Sequence, residues 1–167
     1  RHSGRSSTVD DSRVSREFSD EFSQSAVDEY VAAAQLDLDA SPLDVSLEEF
    51  KAKVAEFQPD LIGVTAVEDT WPQAREMLES ISDTTAVVIV GGVFPTLASD
   101  VPIAHPDVDM ICVGEGEETI VELCRELGKN NPDLAKIDGL AWWNGEEMVR
   151  NKSRALIQDL DTIPMPA

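Results

Sequence analysis

The chain has 167 residues, 42% of them hydrophobic, which suits one globular domain with a real core and is too apolar for a disordered chain. Its 33 acidic against 13 basic side chains give a formal charge of −20, a field that repels phosphates and argues against nucleic acid or an anionic membrane surface as partner. No apolar run approaches the roughly 20 residues of a membrane span and no signal-peptide pattern opens the chain. The two cysteines, Cys112 and Cys124, lack the C-x-x-C spacing of zinc or iron–sulfur sites, so buried thiols in a reducing, cytoplasmic setting are expected.

Residues 1–16, RHSGRSSTVDDSRVSR, are rich in Ser, Arg and Asp and are expected to form a tail or remnant outside the core. Residues 17–128 are then expected to form the α/β domain, and residues 129–167 a hairpin and exit linker. Phe18, Phe22, Ala26 and Tyr30 recur every four residues and predict a helix to about residue 32. AQLDLDAS alternates apolar and polar residues before Pro42, which predicts an edge strand and a turn. Ser46 and Glu49 form an S-x-x-E capping box ahead of the stripe Leu47, Phe50, Val54 and Phe57. After Pro59, LIGVTA reads as an apolar strand buried on both faces.

A helix with Pro72 in its first turn and Trp71, Ala74, Leu78 and Ile81 on one side comes next. AVVIVGG is a second buried strand, LASDV a short helix or turn, and MICVG a third strand. Helix 117–127 is expected to turn Ile120, Val121, Cys124 and Leu127 inward and to stop at Gly128. GLAWW-NGEE-MVRN reads as a hairpin with Asn144-Gly145 in its turn, with Trp142 and Trp143 on opposite sides, and IQDLDTIPMPA as an extended exit.

Strands and helices alternating at this short period predict a parallel sheet with helices on both faces, which binds ligands beyond the carboxyl ends of its strands. Three loops lie there: TAVEDT (65–70), GGVFPT (91–96) and GEGEET (114–119). The last departs from G-x-G-x-x-G, since Thr119 stands where the third glycine belongs, and it lacks a P-loop Lys. Glu115, Glu117 and Glu118 would face a diphosphate at close range, so an amide-bearing ligand suits the rim better. Gly91-Gly92, having no side chains, is expected to leave an open groove. The acids Glu68, Asp69 and Glu115 have no partner legible in the sequence, and neither His2 nor His105 is tied to a nucleophile or metal by spacing. No catalytic residue and no metal ligand is therefore assigned, and His105 is expected in a surface loop.

PDLIGVTAVEDT, VVIVGGVFPT, HPDVDMICVGEGEETIVELC, IDGLAWWNGEEMVRN and IQDLDTIPMPA, in this order and at these spacings, resemble the cobalamin-binding domain of B12-type radical S-adenosylmethionine enzymes. The resemblance covers about residues 33–167. It implies a flavodoxin-like, Rossmann-like doubly wound α/β sheet with a C-terminal β-hairpin, here expected to lack the family's first strand, whose place the Ser/Arg-rich start occupies. It also implies cobalamin at the carboxyl edge. Thr65, Ala66, Val67, Gly91 and Gly92 would line the nucleotide-tail cavity, with Val93, Phe94 and Thr96 in the same loop. Gly114, Glu115, Gly116 and Glu117 would border the corrin. The family's Asp-x-His-x-x-Gly is absent, so the resemblance implies no protein histidine on cobalt. S-adenosylmethionine and a [4Fe-4S] cluster would belong to a downstream radical domain, which the exit linker leads toward and whose cluster motif this chain lacks. Two other readings stand beside it: a docking or regulatory module of the same fold without cofactor, and an enzyme using Glu115 or Asp69 as base.

Overall fold

A computed structural model describes residues 46–159 and Ile163. The predicted helix to residue 32 and the strand before Pro42 lie outside the described residues. Helix α1 (Leu47–Phe57) starts where the sequence places it, because Ser46 and Glu49 cap each other: Glu49 N donates to Ser46 Oγ at 3.2 Å and Ser46 N to Glu49 Oε2 at 3.1 Å. The bond from the Ser46 backbone, then that from its hydroxyl, holds the Glu49 carboxyl below its usual pKa. Ser46→Ala is expected to cost about 1 kcal/mol in urea unfolding, the usual loss for an N-cap. The stripe behind the cap is only half used. Phe50 and Val54 pack on the core, whereas Leu47 and Phe57 are exposed, because α1 leans chiefly on the next helix along.

That next element follows β1 (Leu61–Thr65): helix α2 (Trp71–Ser80), with Pro72 in its first turn and Trp71, Ala74 and Leu78 buried as expected. Then come β2 (Val87–Gly91), two short helices α3 (Val93–Leu97) and α4 (Asp100–Ile103), β3 (Met110–Cys112), helix α5 (Glu117–Leu127), and the strands β4 (Leu140–Trp143) and β5 (Met148–Arg150). The strands lie in the order β1-β2-β3-β4-β5, the first three parallel and the last two antiparallel. The predicted parallel sheet is thus extended by the predicted hairpin into a mixed one. In its turn Asn144 Oδ1 accepts from Glu146 N at 2.9 Å and Glu147 N at 3.0 Å.

Helices cover both faces. Ile62, Val88, Val90 and Ile111 meet α2 and Ile103 on one side, while Val87, Ile89, Met110 and Leu140 meet Leu123, Cys124 and Leu127 of α5 on the other. The inward stripe of α5 therefore differs from the sequence expectation: Thr119 and Leu123 are fully buried, and Ile120 and Val121 only partly. Strand β2 is buried from Val87 to Val90, as its apolar run requires. Strand β1 is not buried on both faces. It is the outermost strand among the described residues, and beyond Leu61 and Ile62 none of the described helices covers its face on the α5 side, where Gly63 and Thr65 are exposed.

A buried acid closes the start of the β2–β3 ladder: Asp109 Oδ2 accepts from Val88 N at 2.8 Å, and Asp109 N donates to Val88 O at 3.0 Å. The parallel register brings the carboxyl ends of β1, β2 and β3 to one edge, where the three loops meet.

Candidate functional site

The loops at this edge are stitched to one another in strand order. Ala66 N donates to Gly91 O at 3.0 Å and Phe94 N to Ala66 O at 3.1 Å, which zips the first loop to the second. Thr96 Oγ1 donates to Gly92 O at 2.8 Å and accepts from Gly114 N at 3.0 Å, which ties the second to the third. Val113 N then donates to Gly139 O at 2.7 Å, joining the third to the approach to β4. Backbone groups at the strand tips are spent on each other, and the rim is held in one shape.

Gly92 corrects the sequence expectation. Its φ of 98° is open to glycine alone, and a Cβ there would sit 2.8 Å from Ala66 O. The missing side chain makes room for the neighbouring loop, so no groove opens at that position. The open space lies one face over. Thr65 and Gly91 are register partners on the α5 side of the sheet, and Gly63, two residues before Thr65, has no described atom within 4 Å of where a Cβ would be. Gly63, Thr65 and Gly91 thus form a trough nearly free of side chains; sequence reasoning missed Gly63, whose place on the same face follows from strand alternation.

Above the trough the rim is apolar. Val67 is 44% exposed, Val93 60% and Leu97 81%, whereas Ala66 is buried and Phe94 lies partly buried against Trp71, ring centroids 5.7 Å apart. Phe94 therefore supports the loop. Leu97 was missed, and its signal was only a leucine one helical turn from Val93. Gly114 adopts φ 90°, with no described atom within 4 Å of where a Cβ would be.

The acids are not the bare fringe that the sequence suggests. Glu115 Oε2 accepts from Ile157 N at 2.7 Å. Arg154 Nη1 donates to Glu118 Oε2 at 2.7 Å, its Nη2 to Glu122, and its Nε to Thr119 Oγ1 at 3.1 Å. Burial works against the Arg154 charge, but the bonds and charges of Glu122 and Glu118 outweigh it and hold its pKa above the ordinary arginine value. Only Glu117 of the three acids keeps an exposed carboxylate without a hydrogen bond among the described residues. Glu68 and Asp69 lie exposed in a one-turn helix ahead of α2. Beneath Gly116, Cys112 lies buried, and burial pushes its thiol pKa up, as it does for Cys124.

His105 also differs from expectation. Its side chain is 9% exposed, edge-on to Trp71 with centroids 6.0 Å apart, and Nδ1 accepts from Asp107 N at 3.3 Å. It is a packing residue behind the second loop. Among the described residues no group of three His, Cys, Asp or Glu side chains could hold a metal ion.

A family model described as the B12 binding domain matches residues 22–124, more than half of the chain. The chain belongs to the B12-binding domain family. This B12-binding domain is 40% identical over 76 residues to the anaerobic magnesium-protoporphyrin IX monomethyl ester cyclase of Synechocystis sp., covering 45% of the chain and 15% of that protein. It is 31% identical over 131 residues to the cyclase of the same name from Cereibacter sphaeroides, covering 75% of the chain and 21% of that protein. The domain thus spans only 15% and 21% of these two curated relatives.

Among solved structures, the cobalamin-dependent S-adenosylmethionine radical enzyme OxsB with aqua-cobalamin bound matches with a TM-score of 0.64 at 22% identity, over 74% of this chain and 18% of that one. The radical S-adenosylmethionine methyltransferase TsrM from Kitasatospora setae, with cobalamin and a [4Fe-4S] cluster bound, matches with a TM-score of 0.60 at 20% identity, over 91% and 30%. At these identities the likeness shows the fold, the open Rossmann-like sheet of a B12-binding domain.

Proposed function

We propose that this chain holds cobalamin at the carboxyl edge of its sheet and presents it to a catalytic domain of a radical S-adenosylmethionine enzyme, of methyltransferase or cyclase type. The observation that carries this is the pairing of a shallow trough nearly free of side chains with exposed apolar residues of the rim at one edge. Gly63, Thr65 and Gly91 would take the slender nucleotide tail. Val67, Val93 and Leu97 would lie against the broad apolar face of the ring, with Gly114 letting it approach the backbone. The amide fringe of the corrin would find an acceptor in the exposed Glu117 carboxylate, a group that repels a diphosphate. When bound, the corrinoid supplies a redox-active cobalt that can carry an alkyl group. This chain's own residues orient it and keep water from its apolar face. S-adenosylmethionine and the iron–sulfur cluster belong, on this reading, to the catalytic domain.

The test is colour. Protein reconstituted with hydroxocobalamin and desalted is expected to keep a stoichiometric corrin spectrum. Gly63→Phe is the matched variant, since a Cβ there meets no described atom within 4 Å and the ring would extend into the trough. It is expected to fold and to bind at least about tenfold more weakly, a loss of about 1.4 kcal/mol. No retention by the unaltered chain, or equal retention by Gly63→Phe, would reject the proposal, the former in favour of a cofactor-free docking module.

A further inference from the structure

The β4–β5 pairing runs on to Lys152, whose carbonyl accepts from Gly139 N at 2.8 Å, and beyond it the segment has no regular hydrogen-bond ladder but is still held at intervals. Asn151, Arg154 and Ile157 are half-buried, and the residues between them and up to Asp159 are exposed. A three-residue repeat is the period of an extended, polyproline-like strap lying along a surface. Each of the three has its own catch. Asn151 Nδ2 donates to Leu134 O at 2.6 Å and Ile137 O at 2.8 Å. Arg154 grips Glu118, Thr119 and Glu122 on the first turns of α5. Ile157 N donates to Glu115 Oε2, 42 residues away in sequence and in the middle of the rim loop.

We infer that residues 151–159 are a latch on the rim loop 113–116, so that the loop and the chain leaving the domain order and loosen as one unit. The loop needs such a catch. Gly114 and Gly116 flank Glu115, and glycine backbone is the most costly to order. The bond from Ile157 N to the Glu115 carboxylate restrains this glycine-flanked point of the rim from the strap. Arg154 holds the strap in reach while neutralising the acids beside it, which would otherwise repel Glu115. Both residues act through the loop and are positioning residues. The link itself needs no ligand. Its consequence, that a corrinoid on the rim would tighten the exit strap and so bias the placement of whatever follows, rests on the function proposed above.

Amide hydrogen exchange on the full chain tests it, with circular dichroism to confirm folding. The informative amide is Gly114, whose acceptor Thr96 Oγ1 is bonded in turn to Gly92 O; Val113 is read beside it, since its acceptor residue Gly139 is itself bonded to the strap at Lys152 O. Arg154→Met is expected to speed exchange in residues 155–158 and at Val113 and Gly114 together, by at least about tenfold. Glu115→Ala is expected to do the same, and Glu115→Gln, which keeps an acceptor oxygen, to stay near the unaltered protein. A strap freed by Arg154→Met with Val113 and Gly114 unchanged overturns the latch. With hydroxocobalamin bound, Ile157 exchange is expected to slow in the unaltered chain but not in Glu115→Ala; a retained corrin that leaves Ile157 unchanged overturns the coupling. Failure to bind the corrinoid rejects the proposed function, and the ligand-free comparison still decides the latch.

Discussion

Gly92→Ala is expected to destabilise the protein by about 2–6 kcal/mol, a large part of the 5–15 kcal/mol that holds an ordinary domain folded. Two costs add. The backbone at φ 98° and ψ −168° lies in a region that glycine alone enters freely, and forcing a side chain there costs about 1–3 kcal/mol. The new methyl also meets Ala66 O at 2.8 Å and Thr65 Cγ2 at 3.1 Å. Ala66 cannot retreat without losing its bonds to Gly91 and Phe94, so overpacking adds about 1–3 kcal/mol. Gly114→Ala separates the two costs, because it shares the positive φ and a Cβ there meets no described atom within 4 Å; about 1–2 kcal/mol is expected. Urea unfolding of both variants reads the difference. If Gly92→Ala is no worse than Gly114→Ala, the two loops are not in tight contact and the rim is looser than its hydrogen bonds imply.

The same glycine shows where sequence reasoning reached and where it stopped. Strand β2, the capping box at Ser46, the Asn144-Gly145 turn and the limits of α5 were legible because each rests on a local rule: an apolar run, two residues three apart, a turn pair, a glycine stop. The convergence of three loops at one edge was legible too, from the alternation of elements. What each loop residue does there was not. That Gly92 yields its space to Ala66 while Gly63 leaves space open depends on register and on which neighbours α5 covers, and both glycines look alike in a string of letters. Likewise the pairing of Glu115 with Ile157 and of Glu118 with Arg154 spans 42 and 36 positions, and no periodicity encodes it. The burial of His105 and Asp109, polar residues ahead of β3, was likewise decided by contacts distant in sequence, with Trp71 and with the β2 backbone.

Thr119→Val is expected to cost about 2–5 kcal/mol, an unusual loss for a swap that barely alters side-chain shape. Thr119 is fully buried in the first turn of α5, where its Oγ1 donates to Asp138 O at 3.0 Å and accepts from Arg154 Nε at 3.1 Å. Valine removes both bonds at once and leaves a carbonyl and a part-buried guanidinium N–H facing a methyl group, about 2–5 kcal/mol for the two together, short of the full 1–3 kcal/mol for each because neither bond is fully buried. The methyl would stand at hydrogen-bond distance from both atoms, closer than carbon packs, so the strap is pushed outward as well as unbonded. Thr119→Ser keeps the hydroxyl and loses one methyl group, about 1 kcal/mol. Thermal unfolding should therefore fall by about 5–15 °C for valine and by only a few degrees for serine, at about 2–4 °C per kcal/mol for a chain of this size. Equal midpoints for the two variants would mean that Glu118 and Glu122 alone hold Arg154, and that the buried hydroxyl gains no more from the strap than it would from water.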